Sequence, residues 1–465
     1  AGSRVAILST PTQQVPMPEL AELPGIENAR IIPREEHSIS RKDISPHALN
    51  VLSRLAAAGF YGFLVGGGVR DLLLGEKPKD FDVATNATPE EVRQLFRNAR
   101  IIGRRFRIVH VRFGREIIEV TTFRGAPEKQ LTVDEKSTRR SLKHVDAAQN
   151  VDGLMVRDNV YGQIDEDARR RDFTINALYY TTDGFKLLDF CDALSDLKAH
   201  QIRMIGDPQE RYREDPVRML RALRFSAKLG FEISDETTAP VEALSDLLSG
   251  ISSARLFDEL IKLFSTGYSQ SAYQLLRDSS LKDALLAPTF EALEQCQPEE
   301  TRLLEFAFNN TDARVALEKS VTPYFLFAAL LWPPLRLSMR EADCESLDSS
   351  PQFRQLASQV LAEQNTFTSI PKRISYACRE IWELQGRLTT RTRQTVGATL
   401  NHPRFRAAYD FLLLREAAGE ELGDSGEWWT VYQFGDDIQR QEQINGLPKT
   451  RRRRRRKRRP AGSKL

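Results

Sequence analysis

The first spacing that suggests chemistry is Leu64-Val65-Gly66-Gly67-Gly68-Val69-Arg70-Asp71, followed by Asp80-Phe81-Asp82. An apolar run that ends in three glycines and then turns helical predicts a strand, a tight turn and a helix. Glycines let backbone N–H groups come close to an anion, and a helix N-terminus adds partial positive charge. Arg70 adds a full charge. On a strand, residues i and i+2 point to one face, so Asp80 and Asp82 face the same way while Phe81 packs behind. Two such carboxylates repel unless a cation neutralises them. Mg²⁺, which takes oxygen ligands and sits with substrate phosphates, suits the pair. Two-metal phosphoryl transfer uses this arrangement, with one ion at the attacking oxygen and one at the leaving pyrophosphate. The alternative, a glycine turn before a solvated acidic loop, does not explain the aspartate spacing.

Three further stretches carry charge in a pattern. In Glu116–Thr122 the alternation places Ile117, Glu119 and Thr121 on one face. A glutamate in so β-rich a run is costly to bury unless paired or near a metal, which makes Glu119 an accessory catalytic candidate. The run Arg169-Arg170-Arg171-Asp172-Phe173-Thr174-Ile175-Asn176 sets three arginines just before an apolar segment. Arg171 can grip a triphosphate, and Asp172 and Asn176 can reach a ribose hydroxyl or a metal. A surface salt-bridge cluster is the competing reading. In Glu214-Asp215-Pro216-Val217-Arg218 and onward, Pro216 opens a helix with Asp215 as its natural N-cap. Arg218, Arg221 and Arg224 drift around that helix by about 60° per step. The slanting stripe they form can follow a nucleotide or a phosphate backbone.

The elements that must position these residues are readable in outline. An amphipathic helix is expected over Ser45–Phe60 and a strand over Tyr61–Val65. Thr88 as N-cap with Pro89 behind it marks a helix start. Arg107–Phe113, a Gly114-Arg115 turn and Glu116–Phe123 read as a hairpin. Residues 126–155 read as a mobile loop, and Phe173–Tyr180 and Phe185–Phe190 as two more strands. From Asp215 to Leu414 helical patterns dominate, among them Pro216–Leu229, Ser253–Ser265 and Arg404–Arg415. The fold class is therefore α+β: a mixed sheet with helices, followed by all-helical domains.

Composition bounds the rest. The chain has 465 residues, 41% hydrophobic and 28% charged, as expected of a folded multi-domain protein. The longest apolar run, Tyr324–Trp332, is too short to span a membrane. Four cysteines far apart argue against a disulfide framework and fit a reducing, cytoplasmic setting. The net charge of +3 hides an asymmetry, because residues 449–465 carry eleven Lys and Arg and no acid, leaving −8 for the remainder. Such a tail is expected to be disordered when free and to bind polyanions, RNA first among them. Its RNA-binding candidates are Arg451, Arg452, Arg453, Arg454, Arg455 and Arg456.

In combination these motifs resemble class II nucleotidyltransferases, the group that holds the bacterial poly(A) polymerases and the tRNA CCA-adding enzymes. The resemblance rests on Gly-Gly-x-Val-Arg-Asp with Asp80-Phe81-Asp82, then Arg170-Arg171-Asp172-Phe173-Thr174-Ile175-Asn176, then Glu214-Asp215-Pro216-Val217-Arg218, in that order over residues 60–230. Ile101-Ile102-Gly103-Arg104-Arg105-Phe106-Arg107-Ile108-Val109-His110-Val111 is similar to the version found in bacterial poly(A) polymerases, as are Asn401–Leu412 and the arginine-rich end. Arg104 and Arg105 are accordingly expected to touch RNA.

The resemblance implies a polymerase-β-like nucleotidyltransferase palm followed by helical neck, body and tail. Residues 1–44 are read as a flexible N-terminal arm and 45–195 as the catalytic domain. Residues 196–265 are read as the neck, which binds nucleotide and RNA. Residues 266–430 follow as the helical body, and 431–465 as a disordered arginine-rich tail. It further implies Asp80, Asp82 and Asp172 as catalytic residues, with Asp80 and Asp82 holding two Mg²⁺ ions (or Mn²⁺). Gly66, Gly67, Gly68, Arg70, Arg171, Asn176, Asp215, Arg218, Arg221 and Arg224 are the nucleotide-binding candidates, Asp215 and Arg218 reading the base. The expected activity is template-independent transfer of AMP from ATP to RNA 3′ ends, in RNA processing and decay. The expected partners are RNA, ATP and RNA-decay or RNA-chaperone proteins, and the expected state is a monomer. The competing readings are CCA addition to tRNA with CTP and ATP, and a non-catalytic RNA-binding protein on a decayed palm.

Overall fold

Capped prolines open helices where the sequence predicts them. In the computed structural model, which describes residues 19–103, 107–125, 131–133, 147–150, 155–158, 160–347 and 350–447, Ser45 Oγ accepts from His47 N and Pro46 begins α1 (Pro46–Ala57). The glycine run forms the start of α2 (Gly67–Leu73). Thr88 and Glu91 close a reciprocal capping box on α3 (Pro89–Leu95). The chain divides into one compact unit ending at Leu248 and a second beginning at Ser249.

The first unit is built on an eight-stranded mixed sheet. Its strands are β1 (Arg30–Ile32), β2 (Gly62–Val65), β3 (Asp82–Thr85), β4 (Ala99–Ile102), β5 (Ile108–Phe113) and β6 (Glu116–Thr122), with three other strands intervening before the last two. Those three, β7 (Leu131–Val133), β8 (Ala147–Asn150) and β9 (Met155–Asp158), form a small sheet of their own that overlaps the stretch expected to be a loop. The main sheet is completed by β10 (Leu178–Tyr180) and β11 (Leu187–Asp189), in the order β1-β11-β10-β2-β3-β6-β5-β4. The expected hairpin is present as antiparallel β5 and β6. The pairing of β3 with β6 is parallel, and the other pairings are antiparallel.

The register draws one row across this sheet: Leu188, Tyr179, Val65, Asp82, Glu119, His110, each directly opposite the next. Directly paired residues share a face. The first three are buried in a core with Leu20, Leu23, Ile26, Phe63 and Ala84. The last three are polar and partly open. One face of the sheet thus passes from apolar core to acidic site at the step from Val65 to Asp82.

Several elements differ from their expected form. Residues 19–44 are not loose: Leu20, Leu23, Ile26 and Ile32 are buried, and β1 pairs with β11 at the sheet edge. Phe173–Tyr180 is a strand only from Leu178, because Thr174–Asn176 is a 3₁₀ turn. Asp172 Oδ1 accepts from Phe173 N and Asn176 Nδ2, local bonds that displace a sheet ladder. The second expected strand starts at Leu187, since Phe185 adopts φ 51° in the turn before it. Two short helices stand where no element was expected: α4 (Ile164–Arg169) and α5 (Ala193–Lys198). So does α6 (Pro208–Glu214), capped by Asp207. The neck helix itself, α7 (Val217–Leu229), begins at Pro216 in helical conformation. Asp215 stands between the two helices at φ −153°, ψ 91°, closing α6 while its carbonyl accepts from Arg218 N at the start of α7. After residue 215 the unit is helical apart from Glu232–Ile233, which pairs with Gln201–Ile202.

The second unit is helical throughout its described residues. Its long helices are Pro298–Ala316, Lys372–Thr389 and Phe405–Ala418, and buried Trp382 on the second of them donates its Nε1 to Ala328 O of Pro323–Leu330 at 3.0 Å. Trp429 Nε1 donates to Leu388 O at 2.8 Å, satisfying the second large indole of that core. No helix among the described residues is long and apolar enough to cross a membrane.

Candidate active site

The glycine turn is required by its backbone. Gly66 has φ 71° and ψ −140°, a region that side chains strain to enter. A methyl group there would lie 3.5 Å from Arg171 Nη1 and 3.8 Å from Asp82 Oδ2, so the turn, the arginine and the aspartate converge on one point. A methyl on Gly68 would stand 3.2 Å from Asp80 O, so the start of α2 and the Asp80-Phe81-Asp82 segment are in close backbone approach. Phe81 is buried behind while Asp80 is exposed and Asp82 half-buried, the expected alternation, although β3 itself begins only at Asp82.

Asp82 is crowded by negative charge. Burial, Glu119 and Asp80 push its carboxyl up to about 6, with Arg171 pulling the other way. Glu119 lies opposite it, and Glu119 Oε1 is 3.1 Å from His110 Nε2 on the neighbouring strand β5. Among the described residues no three His, Cys, Asp or Glu side chains gather closely enough to hold a metal ion alone. The donor set is oxygen only and its charge is under-compensated. That fits a hard divalent cation which keeps water and phosphate among its ligands.

Arg70, expected to face an anion, is 2% exposed and committed elsewhere. Its Nη1 donates to Asn176 Oδ1 at 2.6 Å and its Nε to Asp71 Oδ1 at 2.8 Å. Asn176 in turn donates to Asp172 Oδ1 at 3.2 Å, and Arg221 Nε donates to Asp172 Oδ2 at 2.7 Å. Lys228 Nζ closes the circuit on Asp71 Oδ2 at 2.9 Å. Arg70, Asn176, Asp172 and Arg221 therefore bind α2 to α7. Burial would raise the Asp172 carboxyl, but Arg221, Asn176 and the Phe173 amide hold it well below the usual carboxylate range. Asp172 contacts this clamp rather than the Asp80–Asp82 pair.

The arginine stripe on α7 turns inward. Arg218 Nη1 donates to Glu214 Oε2 at 2.8 Å and to Arg211 O at 2.7 Å. Arg221 and Arg224, with Arg70, surround the Phe225 ring at 5.3, 4.9 and 5.3 Å respectively. The carbonyl of Asp215 accepts from Arg218 N at 3.0 Å, which places the two base-reading candidates on adjoining turns. Arg171, by contrast, has Nη1 directed at Gly66.

Five residues of this site were not singled out from the sequence. His110 and Glu214 lay inside quoted motifs, and their role shows only once strand register and helix phase are known. Asp167 and Tyr179 hold Arg171. Arg211 Nη2 donates to the carbonyls of Arg170 and Arg171 at 2.7 and 2.6 Å. The expected RNA contacts Arg104, Arg105 and Arg451 through Arg456 lie outside the described residues.

Comparison with known proteins adds an independent line. Residues 62–203 match the family described as poly A polymerase head domain. Residues 230–293 match a probable RNA and SrmB-binding site of polymerase A, and 345–461 a polymerase A arginine-rich C-terminus. The chain is 47% identical over 439 residues to a protein named poly(A) polymerase I from Escherichia coli O6:H1, covering 93% of this chain and 92% of that one. A CCA-adding enzyme from Lactobacillus helveticus is 38% identical over 241 residues, 52% of this chain and 55% of the relative. In fold, the chain is similar to the solved structure of a Thermotoga maritima CCA-adding enzyme, with TM-score 0.53 at 18% identity over 86% of this chain and 85% of that one.

Proposed function

Because the chain belongs to the poly(A) polymerase I family, we propose that it adds AMP from ATP to RNA 3′ ends without a template, releasing pyrophosphate. The observation that carries this reading is the convergence of Gly66, Arg171 and Asp82, an anion-accepting turn and a cation beside an acidic pair. The RNA 3′ oxygen bonds to the α-phosphorus as the bond to the β-phosphate oxygen breaks. The Gly66–Gly68 turn admits the triphosphate to the start of α2, and Arg171 balances its charge. Asp80 and Asp82, with Glu119 as accessory, would hold two Mg²⁺ ions, Mn²⁺ being an alternative. Those ions supply activation of the hydroxyl and stabilisation of the leaving pyrophosphate. His110 orients Glu119. Asp215 and Arg218 face the incoming base, while the clamp of Asp172, Asn176, Arg70 and Arg221 fixes α7, and so Arg218, against the head.

CCA addition is the competing activity on the same palm. Relatives named for it match only about half the chain, whereas those named poly(A) polymerase I match nearly all of it. RNA beyond the primer end falls to the segments whose families are described as RNA-binding and arginine-rich, with Arg104 and Arg105 as further contacts. The reading entails a cytoplasmic monomer that works alongside RNA-decay or RNA-chaperone proteins. Replacing Asp80 or Asp82 with Ala tests the chemistry: transfer should be lost with the fold intact. Turnover above about a tenth of the wild-type rate would rule out the assignment, since lost catalytic groups typically cost at least 10².

A further inference from the structure

Arg171 is gripped on two sides. Its Nε donates to the Tyr179 hydroxyl at 2.9 Å and its Nη2 to Asp167 Oδ2 at 3.1 Å. The Tyr179 hydroxyl donates to the same Asp167 oxygen at 2.5 Å. Asp167 Oδ1 accepts from Arg124 N at 3.1 Å and lies 3.5 Å from Arg124 Nε. Asp167 is 1% and Tyr179 0% exposed, so one buried carboxylate answers two guanidinium groups. Burial would raise that carboxyl, but Arg171, Arg124 and Tyr179 hold it below its usual range.

A planar guanidinium fixed at two nitrogens has no freedom left at the third. Arg171 Nη1 makes no hydrogen bond among the described residues and points to the space above Gly66, beside Asp82. Tyr179 stands directly opposite Val65, the residue that leads into the glycine turn, so the sheet itself sets the distance between clamp and turn. A purely structural ion pair would direct all of its donors into the protein. This one leaves a donor and residual positive charge aimed at the turn. We infer that Asp167 and Tyr179 are positioning residues that hold Arg171 so that Nη1 meets the terminal phosphates of a nucleoside triphosphate bound at Gly66. The inference rests on the functional reading above for the location of the triphosphate.

The test uses the full chain and equilibrium binding of ATP and AMP, read by competition with a fluorescent ATP analogue. Tyr179→Phe keeps the core volume and removes one hydroxyl. It should weaken ATP by about three- to tenfold and leave AMP unchanged, the net size of one ordinary hydrogen bond. The same variant should raise the KM for ATP more than it lowers kcat. Asp167→Asn should weaken ATP by at least about tenfold. In an Arg171→Ala background Tyr179→Phe should have no further effect on ATP. Should Asp167→Asn fail to fold, the isosteric Tyr179→Phe decides alone. Equal weakening of ATP and AMP, unchanged ATP affinity, or additivity with Arg171→Ala would each overturn the inference. A wild-type chain that binds ATP yet adds no AMP to RNA would defeat the functional reading instead.

Discussion

Glu119 lies directly across from Asp82 in the parallel pairing of β3 with β6. Two acids opposite one another on one sheet face destabilise it. Burial and Glu119 are the main causes that push the Asp82 carboxyl up to about 6 from its ordinary 3.8. The folded chain therefore maintains an acidic site at the expense of its own stability, as binding sites for cations do.

Asp82→Asn should stabilise the metal-free chain near neutral pH. The folded state binds the Asp82 proton more tightly than the unfolded state. Stability should therefore fall as pH rises from about 4 to about 6 and remain lower above that. The uncharged Asn avoids this loss. The gain should be about 1–3 kcal/mol at roughly pH 7.5 and should vanish near pH 4. Thermal unfolding of both proteins at both pH values measures it. A less stable variant at neutral pH would contradict the charge assignment.

Added Mg²⁺ should raise the melting temperature of the wild-type chain above about pH 6, because a ligand that binds only the folded state stabilises it. Below that pH Asp82 takes up its proton and the rise should shrink. In Asp82→Asn it should be absent at any pH. A rise in melting temperature that persists in the variant would place the cation elsewhere.

Gly66→Ala should be costly in two separable ways. The backbone at φ 71°, ψ −140° resists a side chain, a strain of about 1–3 kcal/mol. The added methyl would also occupy the space between Arg171 Nη1 and Asp82 Oδ2. Denaturant unfolding should show the first effect and a raised KM for ATP the second. An unchanged KM would mean the nucleotide does not enter at this turn.

Asp172→Asn should loosen α7 from the head. The carboxylate is held by Arg221 and Asn176 well below its usual range, so its stabilisation is complete above the unfolded value and is lost only as pH falls through the folded one. The substitution should therefore cost about 2 kcal/mol throughout the neutral range, a partly buried pair costing less than a fully buried one. It should also loosen selection of ATP over other nucleotides, through Arg218. Unchanged stability at neutral pH would refute the clamp.

The sequence made the short-range features legible and left the long-range ones out of reach. The Thr88-Pro89-Glu91 start, the hairpin around Gly114 and the burial of Phe81 between Asp80 and Asp82 follow from propensity and period over a few residues. The parallel register that sets Glu119 beside Asp82 depends on a crossover through α3, β4 and β5, which no local pattern encodes. Phe173–Asn176 reads as a strand by composition, yet Asp172 supplies local bonds that turn it into a 3₁₀ turn. Arg70 reads as an open cation because, besides adjacent Asp71, its partners Asn176 and the ring of Phe225 are more than a hundred residues away. Residues 19–44 read as an arm because the apolar residues that anchor them are scattered among charges. Their burial depends on β11, far along the chain.

The most direct measurement of the central claim offers the purified chain each nucleotide alone, with Mg²⁺, on an unstructured RNA primer and on a tRNA lacking its terminal CCA. Product length is then read on a sequencing gel. ATP alone should extend the unstructured primer into long, heterogeneous adenosine tails, with little incorporation from CTP, GTP or UTP. Preference for the tRNA, with CTP incorporated and growth stopping at three residues, would contradict the account and establish CCA addition in its place.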